Sequence, residues 1–313
     1  MAADFHGRCG RRQFCCLTFR LLGKCATLQK PPRSYKDELS MTILEDILMA
    51  VQEELNSAKI QRTSADLRSM VADAPPVIAL DQKLRGSFCL IAEIKEKSPS
   101  VGPMRDENVK NAPEAYEESS IVHAISVLTN FSYFGMSIQK LGEIRKASSK
   151  PILRKDFIID EYQIWEARAF GADALLLMAN VLDASRLRGF YNLCRELGME
   201  ALFEVHTNEE IYFLPPDARI VGINSRRFKD KRDFVGITGT SKEDLSINLD
   251  AFQLVEKLPE TAIHVAESGL SPSTLGCVRR KFQAALVGTS LLRDNLGVQA
   301  SLTDFERQLS CWQ

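Results

Sequence analysis

Eight short apolar runs, most of them separated by stretches of helical period, constrain the fold of this chain more than any other feature. They cover residues 90–94, 122–128, 152–155, 174–178, 201–205, 220–224, 263–267 and 284–287. Each is almost continuously apolar rather than alternating, the pattern of strands buried on both faces of a parallel sheet. Helical periodicity is clearest over 139–147, 162–170, 184–197, 250–258 and 273–282. Gly171, Gly198 and Gly288 mark the ends of units, where a left-handed backbone or a close approach is needed. No G-x-G-x-x-G turn follows the first run, which removes the main sign of a dinucleotide-binding sheet. Eight such units in about 220 residues fit a closed (β/α)8 TIM barrel better than an open doubly wound sheet.

The barrel is preceded by an N-terminal helical extension. Thr42-x-x-Glu45 is a capping-box pattern, after which Ile43, Leu44, Ile47, Leu48, Val51 and Leu55 recur at helical spacing. A second helix is expected over 64–72, ending before Pro75 and Pro76. Residues 1–40 are different in kind: rich in basic residues, poor in acidic ones, with no sustained helical period. They read as a disordered leader or as sequence upstream of a start at Met41, with an organelle transit peptide as the alternative. Residues 41–313 are expected to form one domain, including the helices of 42–72.

The 313-residue chain has a formal net charge of −1, so no overall field favours nucleic acid or an acidic membrane. No apolar run approaches the roughly 18 residues of a membrane span. The eight cysteines include no C-x-x-C pair, which points to reduced thiols in a cytoplasmic setting. His6, His123, His206 and His264 lack zinc-ligand spacing, so no metal site is expected. His206 and His123 read as hydrogen-bonded scaffold residues, Arg279–Lys281 as a solvated helix end, and 228–245 as a long sixth βα loop.

In barrels of this kind the chemistry lies at the carboxyl ends of the strands. Those ends carry Glu93 and Lys95, Lys155, Glu204, Asn224 and Arg226, Glu267 and Ser268, and Gly288 and Thr289. Bland readings exist for each: Lys155 with Asp156 as a rim ion pair, Glu93 with Lys95 as a mutual salt bridge, Asn224 as a loop tie. A full ring of such groups is harder to assign to stability alone. "AESGL" and "VGTSL", after the seventh and eighth runs, are small glycine-bearing turns suited to a phosphate. Burial and a cationic neighbour are expected to lower the pKa of Lys155.

These residues resemble the indole-3-glycerol phosphate synthase family of tryptophan biosynthesis. The resemblance is carried by "IAEIKEKSPS", "SVLTNFSYF", "PILRKDFIIDEYQIWEARAFGADALLL", "ELGMEALFEVH", "IVGINSR", "VAESGL" and "ALVGTSLLR", in order along the chain. It implies closure of an indole ring on 1-(2-carboxyphenylamino)-1-deoxyribulose 5-phosphate, with loss of carbon dioxide and water and without cofactor or metal. By resemblance, Lys155 is the general acid, Lys95 the second catalytic lysine, Glu93 the carboxylate on its strand and Glu204 the acid/base of dehydration. Asn224 and Ser268 orient substrate hydroxyls and catalytic groups, and Arg226 holds the anthranilate carboxylate. Ser98, Gly269, Gly288 and Thr289 cradle the phosphate, Glu267 balances the charge of the site, and Phe134 and Phe157 wall in the aromatic ring. The resemblance also implies a helix across the barrel mouth around 43–47. It allows association with other tryptophan-pathway enzymes, the chain itself being a monomer or weak dimer.

The chain departs from the family pattern at Val101, where a lysine is usual, and at Asn130, where an acidic residue is usual. "ESSIVHA" replaces a glycine-alanine entry to the second strand, and the sixth βα loop is longer. Another phosphate-sugar barrel enzyme, an isomerase or a Schiff-base aldolase, and a ligand-binding paralogue without turnover are the alternatives.

Overall fold

The computed structural model describes residues 42–226 and 247–311. Eight parallel strands close on themselves: β1 (Cys89–Ile94), β2 (Val122–Leu128), β3 (Ile152–Lys155), β4 (Ala174–Met178), β5 (Glu200–Val205), β6 (Ile220–Asn224), β7 (Ile263–Glu267) and β8 (Ala284–Val287). Each pairs with its sequence neighbours, and β1 completes the ring by pairing with β8. This is the expected (β/α)8 barrel, with β1 and β5 each beginning one residue earlier than the apolar runs suggested.

Side-chain alternation produces two cores. Ile91, Ala124, Leu153, Leu176, Leu202, Ile220, Val265 and Leu286 point inward and fill the barrel. Ala92, Val127, Leu175, Leu177, Phe203, Val221 and Ala266 point outward and pack under the helices. Both faces of the strands are therefore largely apolar, which is why the runs lack polar alternation. Each fully buried leucine or isoleucine contributes about 1.5–3 kcal/mol.

Helix α1 (Ile43–Gln61) opens with the Thr42/Glu45 capping box and buries Ile47, Val51 and Leu55. Ile43, Leu44, Ile47 and Leu48 pack onto the barrel's inner cluster, in keeping with a helix over its mouth. Helix α2 (Ser64–Ala72) has its own box, Thr63 with Asp66. At the amino end of the barrel, Leu80 and Leu84 join the inner cluster, and Arg219, just ahead of β6, lies 4.0 Å from Asp81.

Around the barrel, α3 (Asp106–Glu118), α4 (Ile138–Ala147), α5 (Glu161–Ala169) and α6 (Ala184–Glu196) follow β1 to β4, and α7 (Val298–Ser310) ends the fold. Two expected helices are not α-helical. Of residues 250–258 all but the last lie in a 3₁₀ segment, Leu249–Lys257, and of 273–282 only Leu275–Cys277 is helical, as a single 3₁₀ turn. There the Thr274 hydroxyl donates to the Gly269 and Ser271 carbonyls and accepts from the Ser271 amide, competing with backbone helix bonds. Lys281 accordingly sits at no helix end and pairs instead with Glu256 at 2.5 Å. Among the described residues no helix is long and apolar enough to cross a membrane. The leader of residues 1–40 and the loop of 228–245 lie outside the described residues.

Candidate active site

A cleft of about 300 Å³ opens at the carboxyl ends of the strands. Every site residue expected from the sequence lines it: Glu93, Lys95, Ser98, Phe134, Lys155, Phe157, Glu204, Asn224, Arg226, Glu267, Ser268, Gly269, Gly288 and Thr289. Strand register explains the convergence. Asn224 on β6 lies opposite Glu267 on β7, and Glu204 on β5 lies opposite Gly222 on β6. These positions all project into the barrel rather than toward the helices.

At the centre is Lys155. Its ammonium Nζ lies 2.9 Å from Glu204 Oε2 and 3.3 Å from Glu267 Oε2, with side-chain exposures of 13%, 1% and 1%. The pairing corrects one expectation. Burial does work against the Lys155 charge, but the attraction of Glu204, Glu267 and Glu93 outweighs it and raises the lysine pKa. Burial likewise opposes ionisation of Glu204, yet Lys155 and His206 hold its carboxyl below the usual range. Glu267 goes the other way: burial first, and then the neighbouring Glu204, push it up to about 8 against the pull of Lys155. The two carboxyls beside one lysine are thus driven apart, Glu204 toward its ionised form and Glu267 toward its protonated one.

Gly222 makes this crowding feasible. A Cβ at 222 would fall 1.9 Å from Glu267 Oε1, so only glycine leaves the space that the buried carboxyl occupies. Gly288 serves similarly, since a Cβ there would meet Glu93 Oε1 at 2.6 Å. Lys95 Nζ bonds Glu93 Oε1 at 2.5 Å, the mutual pair that their spacing allowed.

The rim is polar and tightly tied. Ser268 adopts φ 68° and Gly269 φ 69°, so two successive left-handed residues turn the chain after β7. The Ser225 hydroxyl donates to the Ser268 carbonyl at 3.1 Å, and the Ser290 hydroxyl donates to the Leu270 carbonyl at 2.9 Å. These bonds link the turns after β6, β7 and β8. Next to them, after β1, Lys97–Ser98 and Gly102–Pro103 form a two-stranded ribbon, with Ser98 Oγ 3.0 Å from Ser100 Oγ. The Arg226 amide donates to Asn224 Oδ1 at 2.9 Å, and Arg226 bridges to Ile247.

His206, expected as a hydrogen-bonded scaffold residue, lies between Glu204 of the Lys155 cluster and Glu210. Its Nε2 lies 3.3 Å from Glu204 Oε1 and its Nδ1 3.4 Å from Glu210 Oε2. Burial disfavours the imidazolium, but bonding and attraction from Glu204 and Glu210 raise its pKa to about 9. The two-residue spacing from Glu204 already placed it on the same strand face. Ser100 and Ser290, also in the lining, carried no comparable signal, whereas Ile47 belongs to the helix expected across the mouth.

The family model for indole-3-glycerol phosphate synthase matches residues 44–302. The chain belongs to the indole-3-glycerol phosphate synthase family. Relatives bearing that name include one from Kineococcus radiotolerans, 36% identical over 81% of this chain and 91% of the relative. One from Leptospira interrogans is 41% identical over 65% of this chain and 76% of its own length. Indole-3-glycerol phosphate synthase 2 of Streptomyces coelicolor is 37% identical over 80% and 94%. A solved thiamine phosphate pyrophosphorylase from Pyrococcus furiosus aligns with TM-score 0.50 at 14% identity, covering 74% of this chain and 98% of that one. That likeness concerns the barrel fold alone. As a member of the indole-3-glycerol phosphate synthase family, the protein is a carbon–carbon lyase, a decarboxylase of tryptophan biosynthesis.

Proposed function

We propose that this cleft closes the indole ring of 1-(2-carboxyphenylamino)-1-deoxyribulose 5-phosphate, with Lys155 as general acid and Glu204 as the acid/base of dehydration. The observation that carries the reading is the Lys155 ammonium held between Glu204 and Glu267 at the mouth of the barrel. In the first step the ring carbon bearing the carboxylate attacks the ketone carbon. As that bond forms, Lys155 gives a proton to the ketone oxygen, which becomes a hydroxyl. The raised pKa keeps Lys155 protonated at neutral pH, and the oxygen it serves is becoming an alkoxide, a stronger base than an amine. The carboxylate then leaves as carbon dioxide, its electron pair restoring the aromatic ring. The new hydroxyl finally departs as water, taking a proton from an acid while a base removes one from the five-membered ring. Glu204 and Lys95 are the groups assigned to that exchange, with Glu93 holding Lys95 in place.

Around this centre, Arg226 would hold the anthranilate carboxylate until it leaves, and Phe134 and Phe157 would flank the ring. Asn224 and Ser268 would orient the substrate hydroxyls. Ser98, Gly269, Gly288 and Thr289 would take the phosphate, with Gly288 also making room for Glu93. The same reading assigns turnover to residues 41–313, so a chain started at Met41 should keep its rate.

An aldolase using a Lys155 Schiff base is disfavoured by the carboxylates around that lysine, because the nucleophile must be a neutral amine. The deciding experiment supplies the carboxyphenylamino-deoxyribulose phosphate and follows indole fluorescence. Folded protein that gives no signal would sink the proposal, and a borohydride-trapped lysine adduct would favour the aldolase.

A further inference from the structure

The segment Phe131–Phe134, a single helical turn after β2, carries Phe134 into the cleft, yet none of its four residues is fully buried. Tyr133 and Phe134 pack against the barrel core from partly buried positions. Hydrogen bonds at the two ends of the turn add to that hold. At its start, one carboxylate from α1 gathers the free donors: Glu54 Oε1 accepts from the Ser132 amide at 2.9 Å and the Ser132 hydroxyl at 2.6 Å. Glu54 Oε2 accepts from the Phe131 amide and from Asn130 Nδ2, both at 3.2 Å. Asn130 is 1% exposed, and its Oδ1 caps the same turn by accepting from the Tyr133 amide at 2.9 Å. At the far end, the Glu96 amide donates to the Phe134 carbonyl at 3.0 Å. Gly135 follows at φ 77°, where a Cβ would strike Glu96 Cβ at 2.7 Å.

The turn is thus strung between α1 and the residue after Lys95. We propose that Glu54 and Asn130 form a latch through which the N-terminal helix sets the position of Phe134 against the aromatic part of the substrate. Both are positioning residues, and the inference rests on the ring-closure reading for what Phe134 contacts. The side-chain chemistry is specific. An amide at 130 offers an acceptor to the turn and, from a separate atom, a donor to Glu54, whereas a carboxylate at neutral pH offers only acceptors. A carboxylate at 130 would keep the cap but set two anions against each other in a buried position.

The test uses the full chain with Asn130→Asp, Glu54→Gln and the double variant, each checked for folding by its thermal melt. Asn130→Asp is expected to raise KM about tenfold, equivalent to about 1.4 kcal/mol, with kcat within about threefold. Glu54→Gln is expected to act in the same direction. In the double variant the glutamine amide donates to the introduced carboxylate, and KM should return to within about threefold of the starting value. Backbone amide exchange at Ser132, which bonds the other oxygen of Glu54, should quicken in both single variants and slow again in the double. Faster exchange with unchanged KM would overturn the latch, as would equal KM in the single and double variants. No turnover by the unaltered chain would overturn the ring-closure reading instead, and the latch's role in substrate placement with it.

Discussion

Arg154 and Lys155 are consecutive residues of one strand and send their charges to opposite sides of the barrel wall. Lys155 points inward to Glu204, at 2.9 Å. Arg154 points outward, 3.0 Å from both Asp156 and Glu166, with further bonds to the Gln163 carbonyl at 2.8 Å and Thr129 Oγ1 at 3.0 Å. One face of β3 thus presents chemistry while the other anchors the loop that follows and the start of α5.

That division predicts contrasting phenotypes for adjacent substitutions. Lys155→Met should leave a folded protein whose kcat is lower by at least about a hundredfold, the low end of general-acid contributions. Steady-state rates by indole fluorescence will decide it. A near-normal rate would move the acid role to Lys95.

Arg154→Met, by contrast, strands Asp156 and Glu166 as buried carboxylates without their partner. Breaking such a network costs about 3–5 kcal/mol, so the urea midpoint should fall sharply. KM of the protein that remains folded should be nearly unchanged. A midpoint equal to that of the unaltered chain would show the network to be energetically idle.

Glu267 links activity to pH. Its folded-state pKa of about 8 means that it loses a proton as pH rises through that value. The cleft then gains a negative charge facing the proposed substrate, which carries a carboxylate and a phosphate. We therefore expect kcat/KM to fall above about pH 8 and Glu267→Gln to abolish that limb. Persistence of the same limb in the glutamine variant would assign it to another group.

His206 should leave its mark on stability. Its folded pKa of about 9 lies above the unfolded value of about 6.5. Its contribution is accordingly complete below pH 6.5 and is lost as pH rises through 9. Unfolding curves across that window should show a decline that His206→Gln flattens.

Gly222→Ala tests the space beneath the cluster. The added methyl would meet the Glu267 carboxyl on one side, and Leu202 Cδ1 lies 3.3 Å from the same point. Overpacking of this kind costs about 1–3 kcal/mol, and displacement of Glu267 should lower kcat as well. A crystal structure of the variant with Glu267 unmoved and full activity would contradict the account.

The (β/α)8 architecture was legible in the chain because strand burial is a local property, written as runs of apolar residues at the barrel's spacing. The site positions were legible for a related reason: in a parallel barrel the carboxyl end of each strand faces one mouth, so Glu93, Lys155, Glu204, Asn224 and Glu267 had to converge. The 3₁₀ segments near the C-terminus were not legible, since side-chain bonds such as those of Thr274 decide between turn types that share an apolar period. Nor was the charge state of the centre. Lys155 and Glu204 are 49 positions apart, and Glu54 and Ser132 are 78 apart. Only the closed barrel brings each pair within hydrogen-bond distance. Only inside its wall, away from water, do two carboxyl groups beside one lysine diverge, with Glu204 held below the usual range and Glu267 pushed above it. Periodicity in the chain determined which residues meet, and the low-dielectric interior that folding creates decided what protonation they carry when they do.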